Sequence, residues 1–208
     1  SSTDRRAPYA MTRRNPQRRP NRERFRRFDP SRVPSPCFVV DAAGVEHNLG
    51  ILERVQRESG AKVLLALKAF ALSSLAPLIA RFLRGTCASG LHEARLGREE
   101  FGGELHTFSP AYRPEDLQQL LEISDHVVFN SLGQWQRFQP MIRAARRRHP
   151  RLRFGLRVNP QHRVAGNPLY DPCAPYSRLG VTAAELAGRP LGGISGLHFH
   201  TLCEQDLP

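Results

Sequence analysis

Short apolar segments alternate with longer amphipathic ones over most of this chain, and this alternation limits the folds open to it. The apolar segments are predicted to form strands, at residues 37–41, 62–68, 86–89, 105–109, 126–130, 153–159 and 194–201. The amphipathic segments are predicted to form helices, at residues 43–59, 73–83, 91–101, 114–122 and 132–147. Strands separated by helices of this length are typical of βαβ units, so we expect an α/β fold with a parallel sheet.

The number of strands favours one kind of parallel sheet. Seven predicted strands without a glycine-rich phosphate fingerprint fit a (β/α)8 TIM-type barrel better than a dinucleotide-binding sheet. The last predicted strand ends shortly before Pro208, and at least one or two further βα units are needed to close a barrel. We therefore expect residues 35–208 to be the amino-terminal part of an incomplete barrel, within a fragment of a longer protein.

Positive charge is concentrated at the amino terminus. The net charge of the chain is +12, and residues 1–35 carry eleven arginines against three acidic residues, which leaves only +4 for the remainder. Residues 1–34 are rich in Arg, Pro, Asn and Ser and lack apolar periodicity, so we predict a disordered extension. An arginine-rich arm could bind RNA phosphates in a salt-dependent way, but the weak charge of the folded part makes nucleic acid an unlikely main partner.

Two compositional features bear on location. The longest apolar run, residues 63–72, contains Lys68 and is far shorter than the roughly 20 residues of a membrane-spanning helix, so we expect no membrane protein. The four cysteines, Cys37, Cys87, Cys173 and Cys203, form no CxxC pair and follow no secretory leader. We therefore predict a cytoplasmic protein with reduced thiols, without a disulfide framework and without a metal site.

Polar residues stand at or near the carboxyl ends of several predicted strands, where barrel enzymes place their chemistry. They are Lys68, Ser89, Asn130, Arg157 and His200. A lysine buried in an apolar strand has a lowered pKa, and its neutral amine is a nucleophile for aldehydes. The residues alone leave two alternatives open: Lys68 could instead reach solvent, and His200 could be a hydrogen-bonded core histidine.

Many short motifs carry a resemblance to one family. The most specific are Tyr170-Asp-Pro-Cys-Ala-Pro175 and His198-Phe-His-Thr-Leu-Cys-Glu204. Further similar segments lie at residues 35–41, 64–70, 88–97, 100–103, 108–112, 125–131, 156–160, 177–181 and 194–205. From about residue 35 to the end, the chain resembles carboxynorspermidine (carboxyspermidine) decarboxylase, a member of the alanine racemase-like, fold-type III enzymes.

The resemblance implies a cofactor, a reaction and roles for individual residues. The cofactor would be pyridoxal 5'-phosphate (PLP), and the reaction would be decarboxylation of carboxynorspermidine or carboxyspermidine to norspermidine or spermidine, in a homodimer. Lys68 would be the PLP-binding and catalytic lysine, and His200 would stack on the cofactor ring. The remaining implied contacts are Arg157 and Ser89 with the cofactor, and Ser177 and Arg178 with the substrate. The phosphate loop, the acidic partner of the pyridine nitrogen and a β-domain would lie beyond Pro208, so we expect the fragment to be inactive alone.

Three other functions stay open at this point. Diaminopimelate, ornithine and arginine decarboxylases share the lysine and the stacking histidine but not the His-Thr-Leu-Cys-Glu segment. A non-catalytic PLP-binding barrel of the homeostasis type has roughly this length and would bind PLP without turnover. An RNA-binding protein would use the arginine-rich arm together with the basic segment at residues 146–153.

Overall fold

The computed structural model describes residues 25–26, 28–163 and 170–201. These residues belong to two units, one ending at Val45 and the other beginning at Glu46. In the first unit, the described residues contain a short 3-10 turn at Pro30–Arg32, which the Asp29 side chain caps by accepting a hydrogen bond from the Ser31 N–H. The sheet and nearly all of the helices belong to the second unit. The prediction of disorder for residues 1–34 falls mostly outside the described residues.

Helices and strands alternate along the second unit, as the apolar pattern predicts. The strands are β1 (Leu64–Ala66), β2 (Gly85–Ala88), β3 (Glu104–Phe108), β4 (His126–Phe129), β5 (Arg153–Arg157) and β6 (Gly196–His198). The helices are α1 (Ala42–Ser59), α2 (Ala76–Ala80), α3 (Leu91–Leu96), α4 (Pro114–Ile123), α5 (Leu132–Arg137), α6 (Gln139–Arg148) and α7 (Ala183–Leu186). A π-helical turn at Gly97–Phe101 continues α3.

The six strands form one parallel sheet in which spatial order follows chain order, from β1 to β6. Each strand pairs in parallel with the next along the chain. Parallel neighbours require a crossover connection, and helices supply most of it here. An order without reversal contains no switch point of the dinucleotide-binding type, which agrees with the sequence prediction of an α/β parallel sheet of another kind.

The two faces of the sheet differ in burial. Alternate strand residues, among them Leu105, Val127 and Phe129, join one core with α4, α5 and α6 and are at most 1% exposed. We call this side the covered face. The residues between them, including His106, Phe108 and Val128, are only half-buried, and we call their side the open face. This alternation follows from the two-residue period of a strand.

Side chains of distant strands meet above the open face. The rings of Phe108 on β3 and His198 on β6 have centroids 4.9 Å apart, although β4 and β5 lie between these strands. Strands lie about 4.8 Å apart in a sheet, so three intervals of a flat sheet would separate the two backbones by about 14 Å. The sheet therefore bends strongly toward its open face. Gly155 permits this bend on β5, where an added Cβ would lie 3.1 Å from a methyl group of Val128.

Several sequence predictions need correction. Residues 37–41 form no strand, and Phe38 is fully exposed. Within the described part of the chain, six of the seven predicted strands are therefore found. The predicted helix at residues 132–147 is two helices, because Phe138 ends α5 and Pro140 starts the first turn of α6. The predicted helix at residues 73–83 is a 3-10 turn followed by the short α2.

None of the helices in the described residues is both long enough and apolar enough to cross a bilayer.

Candidate functional site

Four basic side chains gather where the open face meets the carboxyl ends of the strands. Arg157 ends β5, and in the sheet register it lies beside His198, which ends β6. His200 follows two residues later, and Lys68 lies in the turn after β1. The positive charges of Arg157 and Lys68 both lower the pKa of His198 and of His200, so the four groups are near enough for their charges to interact. The structure thus places Lys68, Arg157 and His200 at the same end of the sheet, and their predicted roles stay predictions.

The ring of Phe108 packs against two of these groups, Arg157 and His198. The Arg157 guanidinium carbon lies 4.7 Å from the centre of the Phe108 ring, and the His198 ring packs against the same residue. A guanidinium above an aromatic face is a favourable cation–π contact. Arg157 is only 6% exposed, and burial lowers its pKa from the ordinary value. This arginine is therefore a buried cation that the aromatic ring holds in a defined place.

The two histidines of the site, His198 and His200, are uncharged near neutral pH because their pKa values are lowered. Burial, followed by the charges of Arg157, His200 and Lys68, lowers the pKa of His198 from 6.5 to about 4. Burial and the charges of Arg157 and Lys68 also lower the pKa of the more exposed His200. His198 Nδ1 is buried without a hydrogen-bond partner among the described residues. A neutral imidazole with an unpaired nitrogen leaves a hydrogen-bonding atom for a further group at this site.

Lys68 differs from the buried lysine considered in the sequence. Strand β1 ends at Ala66, and Lys68 lies in the following turn with an exposed side chain. The lysine is therefore exposed to solvent rather than buried in the strand, and its predicted role with the cofactor stays a prediction. The lysine is still close to the site, since its charge also acts on the half-buried Cys87 thiol of β2, whose pKa burial raises. An exposed amine beside the open face is accessible to a small molecule.

Ser89 occupies the end of β2 and is exposed. Its backbone N–H donates a hydrogen bond of 2.7 Å to Glu93 Oε2, which ties the strand end to the first turn of α3. The side chain has no hydrogen-bond partner among the described residues. The predicted cofactor contact of Ser89 stays a prediction.

The predicted substrate segment, Ser177 to Gly180, is held by the end of β4. Asn130 Nδ2 donates to the Arg178 carbonyl oxygen at 2.8 Å, and Asn130 Oδ1 accepts from the Gly180 N–H at 2.9 Å. Gly180 has a φ of 83°, and a Cβ there would lie 2.8 Å from the backbone carbon of Val158. Only glycine therefore allows this close approach to β5. Sequence analysis noted Asn130 at a strand end but assigned it no role.

Ser177 has a local role in the structure. Its hydroxyl donates to the Pro172 carbonyl oxygen at 2.7 Å and accepts from the Leu179 N–H at 3.2 Å. The half-buried Ser177 therefore shapes the loop itself, while the Arg178 side chain is exposed.

The Tyr-Asp-Pro-Cys-Ala-Pro motif packs beneath this loop. The Asp171 side chain is 1% exposed and accepts hydrogen bonds from Arg163 Nε at 2.9 Å and from the Cys173 N–H at 2.8 Å. The bond from Arg163 and the bond from the backbone of Cys173 lower the pKa of Asp171. Cys173 is buried and close enough to Arg157 for their charges to interact. The motif thus connects the loop to the basic group at the strand ends.

Sequence reasoning missed the contacts made by Phe108 and His198. Phe108 lies within a predicted strand and His198 within a motif of the family resemblance, and the sequence assigned neither of them a contact. Strand alternation marks both as open-face residues, but their contact depends on the bend of the sheet, which no local pattern records.

Comparison with known proteins identifies the relatives of this chain. It is 45% identical over 176 residues to the carboxyaminopropylagmatine decarboxylase of Synechocystis sp., covering 85% of this chain and 44% of that protein. It is 38% identical over 175 residues to the carboxynorspermidine/carboxyspermidine decarboxylase of Campylobacter jejuni, covering 84% and 44%. The chain is homologous to the carboxynorspermidine decarboxylases. It spans less than half the length of these decarboxylases, and no protein-family profile matches it.

Solved structures agree with this assignment. Carboxynorspermidine decarboxylase from Campylobacter jejuni, crystallised with norspermidine, matches with a TM-score of 0.72 at 35% identity, over 83% of this chain and 42% of the other. Diaminopimelate decarboxylase from Helicobacter pylori, crystallised with L-lysine, matches with a TM-score of 0.59 at 16% identity, over 75% and 42%. The second match shows similarity of fold alone. The fold is therefore similar to the matched parts of carboxynorspermidine decarboxylase and diaminopimelate decarboxylase.

Proposed function

We propose that this chain is the part of a PLP-dependent decarboxylase that carries the cofactor lysine, and that the complete enzyme removes CO2 from a carboxylated polyamine. One observation carries the proposal: Lys68, His200 and Arg157 meet at the carboxyl ends of the strands in a chain homologous to carboxynorspermidine decarboxylases. Lys68 and His200 act in catalysis, and Arg157 and Ser89 border the cofactor. The Ser177 and Arg178 segment faces the substrate.

The sheet supports the further proposal that these six strands are part of a (β/α)8 barrel. Phe108 and His198 touch across two intervening strands, and the charge of Lys68 after β1 reaches His198 on β6. The charged groups after β1 and on β6 are therefore near enough to interact at this end of the sheet. A barrel brings its strands around in this way, and two additional strands between β6 and β1 would close it.

The residues present fit PLP. The chemistry of the site provides an accessible amine on Lys68, a buried cation on Arg157 and two imidazoles that stay neutral, and His198 Nδ1 lacks a partner among the described residues. We propose that Lys68 holds the cofactor and that His200 lies on its ring. When bound, PLP supplies an electron sink for the electron pair left by the departing carboxylate.

The chain's own residues prepare the site for such a ligand. The Asn130 bonds to Arg178 and Gly180 keep the substrate segment beside the strand ends. The buried Arg157 guanidinium provides a fixed positive charge for an anionic group. Because burial, and after it the charges of Arg157 and Lys68, lower the pKa of both histidines, the rings remain uncharged near neutral pH and can pack on an aromatic surface or accept a proton. When it is not holding the cofactor, the exposed Lys68 amine would carry a proton between solvent and the reacting atom.

The names of the relatives support carboxylated polyamines as the class of substrate. Their names specify carboxyaminopropylagmatine in one case and carboxynorspermidine or carboxyspermidine in two others. The sequence comparison with the Synechocystis protein adds carboxyaminopropylagmatine to the two substrates that the resemblance implied. All three belong in the first assay. The homodimer implied by the resemblance stays a prediction for the complete protein, which sedimentation velocity tests.

The test is CO2 release by the product of the complete reading frame that contains these residues. We expect release from at least one of the three carboxylated polyamines and little from diaminopimelate, ornithine or arginine. Lys68→Ala should abolish release, and Lys62→Ala, the matched lysine control, should keep it. PLP binding without turnover of any substrate would instead support the non-catalytic barrel. Preference for diaminopimelate would contradict the polyamine assignment.

A further inference from the structure

A second group of ionisable side chains lies on the open face, near the amino ends of the strands. Glu104 and His106 are two residues apart on β3 and therefore share a face, and His126 on β4 lies directly opposite His106 in the sheet register. Lys62 approaches from the residues before β1. This group is separate from the site at Lys68 and His200, because β3 runs from Glu104 here to Phe108 there.

The distances within the group match those of a metal-binding site. One ligand atom from each of Glu104, His106 and His126 lies within 4.8 Å of the other two. His106 Nε2 is 3.2 Å from Glu104 Oε2, a separation suited to two ligands of one ion with bonds of about 2.1 Å. The two imidazole rings stack with centroids 4.0 Å apart at an angle of 27°.

The types of side chain also suit a cation. Glu104 supplies a carboxylate, one oxygen of which is bonded to Lys62 while the other lies next to His106. His106 and His126 each supply an imidazole. Two imidazoles and one carboxylate are a common set of zinc ligands in proteins.

We propose that Glu104, His106 and His126 bind a divalent transition-metal ion of the zinc class. The ion would take Glu104 Oε2, His106 Nε2 and one ring nitrogen of His126, with water in the fourth position. His106 would carry its ring proton on Nδ1 and offer the lone pair of Nε2 to the ion. Lys62 would keep its bond to Glu104 Oε1 and orient the carboxylate from outside the ligand set.

Such an ion would have a structural effect. It would link β3 to β4 at the end of the sheet opposite the Lys68 site, on the face that the helices leave uncovered. The proposal does not depend on the proposed decarboxylase activity. The cysteine pattern gave no indication of it, because the ligands are imidazoles and a carboxylate placed together by strand register.

The test is calorimetric titration of the chelator-treated chain with Zn2+, with and without single substitutions. We expect one tight equivalent per chain, weakened at least tenfold in His106→Gln and in His126→Gln. The matched control is His149→Gln, since His149 Nε2 also lies 2.6 Å from a glutamate, Glu122, but without a second histidine. The control should retain the tight equivalent.

Two results would overturn the proposal: no tight equivalent in the unsubstituted chain, or the same tight equivalent in both histidine variants. Far-UV circular dichroism shows whether each variant is folded. If either histidine variant is unfolded, Glu104→Gln removes the charged ligand with the least change of shape and gives the deciding comparison. Binding by Glu104→Gln with unchanged affinity would also contradict the site.

Discussion

The covered and open faces of the sheet contain different kinds of residue. On the covered face, Leu105, Val127, Phe129 and Leu156 pack with the helices and are at most 1% exposed. On the open face, the same strands carry His106, His126, Phe108 and Arg157. Burial of apolar side chains drives folding, whereas half-buried polar groups contribute little to it and are available to ligands. The covered face therefore stabilises the fold, and the open face carries the ionisable groups that are available to ligands.

The largest expected difference between the faces concerns two phenylalanines. Phe129 on the covered face is fully buried and contacts the rings of Tyr112, Trp135 and Phe154. Phe129→Ala should lower the free energy of unfolding by about 3–5 kcal/mol, because it leaves a cavity in the core. Phe108→Ala on the half-buried open face should cost about 1 kcal/mol. Urea unfolding followed by circular dichroism measures both.

Equal losses in the two phenylalanine variants would show that the open face contributes to the core as much as the covered face does. The distinction between the faces would then fail.

The close packing of the covered face gives the next prediction. A Cβ at Gly97 would lie 2.6 Å from Thr86 Oγ1 and 3.2 Å from side-chain atoms of Leu105 and Leu67. Gly97→Ala should therefore destabilise the chain by about 1–3 kcal/mol. Gly50→Ala in α1 is the matched control, since nothing lies within 4 Å of its added Cβ, and it should stabilise the helix by about 0.5–1 kcal/mol. Thermal unfolding of the two variants should shift in opposite directions.

The pH dependence of the free energy of unfolding tests how much His198 on the open face contributes to stability. The pKa of His198 is about 4 in the folded chain and ordinarily 6.5, so between these values the unfolded chain binds the proton more readily. Stability is therefore complete above pH 6.5 and decreases as the pH falls toward about 4. We expect this histidine to account for about 1–2 kcal/mol, after allowance for solvent screening. Urea midpoints from pH 7 to 4 should fall less steeply in His198→Gln than in the unsubstituted chain.

If the urea midpoint of His198→Gln falls with pH as steeply as that of the unsubstituted chain, groups other than His198 cause the loss of stability in acid. His200→Gln provides the comparison, because the pKa of this more exposed ring is lowered by the same causes.

A smaller effect is expected at Asn130. Its two hydrogen bonds hold the backbone of Arg178 and Gly180, and Asn130→Ala should destabilise the chain by about 1 kcal/mol. The sharper readout is hydrogen exchange, in which the Gly180 amide should lose protection while the Leu105 amide on the covered face keeps it. Gln119→Ala, which removes a surface hydrogen bond to Arg95, should leave the Gly180 amide unchanged. Unchanged protection of Gly180 in Asn130→Ala would contradict its positioning role.

Local sequence patterns predicted the parallel sheet but missed the contacts between residues that are far apart in the sequence. Strands β3, β4 and β5 match the predicted segments closely, because clear apolar runs alternate with amphipathic helices there. The segment at residues 37–41 has the same apolar pattern but forms no strand. A strand needs a neighbouring strand as well as an apolar pattern, and a single segment does not show whether it has one.

The candidate site shows the same limit. Lys68, Arg157 and His200 were predicted from their positions at strand ends, and the family resemblance strengthened the choice. The contact of Phe108 with His198 and the pairing of His106 with His126 depend on sheet curvature and strand register. Neither property can be read from a single segment. The exposure of Lys68 was also undecided, since it depends on β1 ending at Ala66.

The most direct test of the central claim is to locate PLP on this chain. The folded chain is incubated with PLP, reduced with borohydride and mapped by peptide mass spectrometry. The chain contains only two lysines, Lys62 and Lys68, so each serves as the control for the other. Our account predicts a label at Lys68 and none at Lys62, whose ammonium is paired with Glu104. Equal labelling of both lysines, or no label on a chain that circular dichroism shows to be folded, would contradict it.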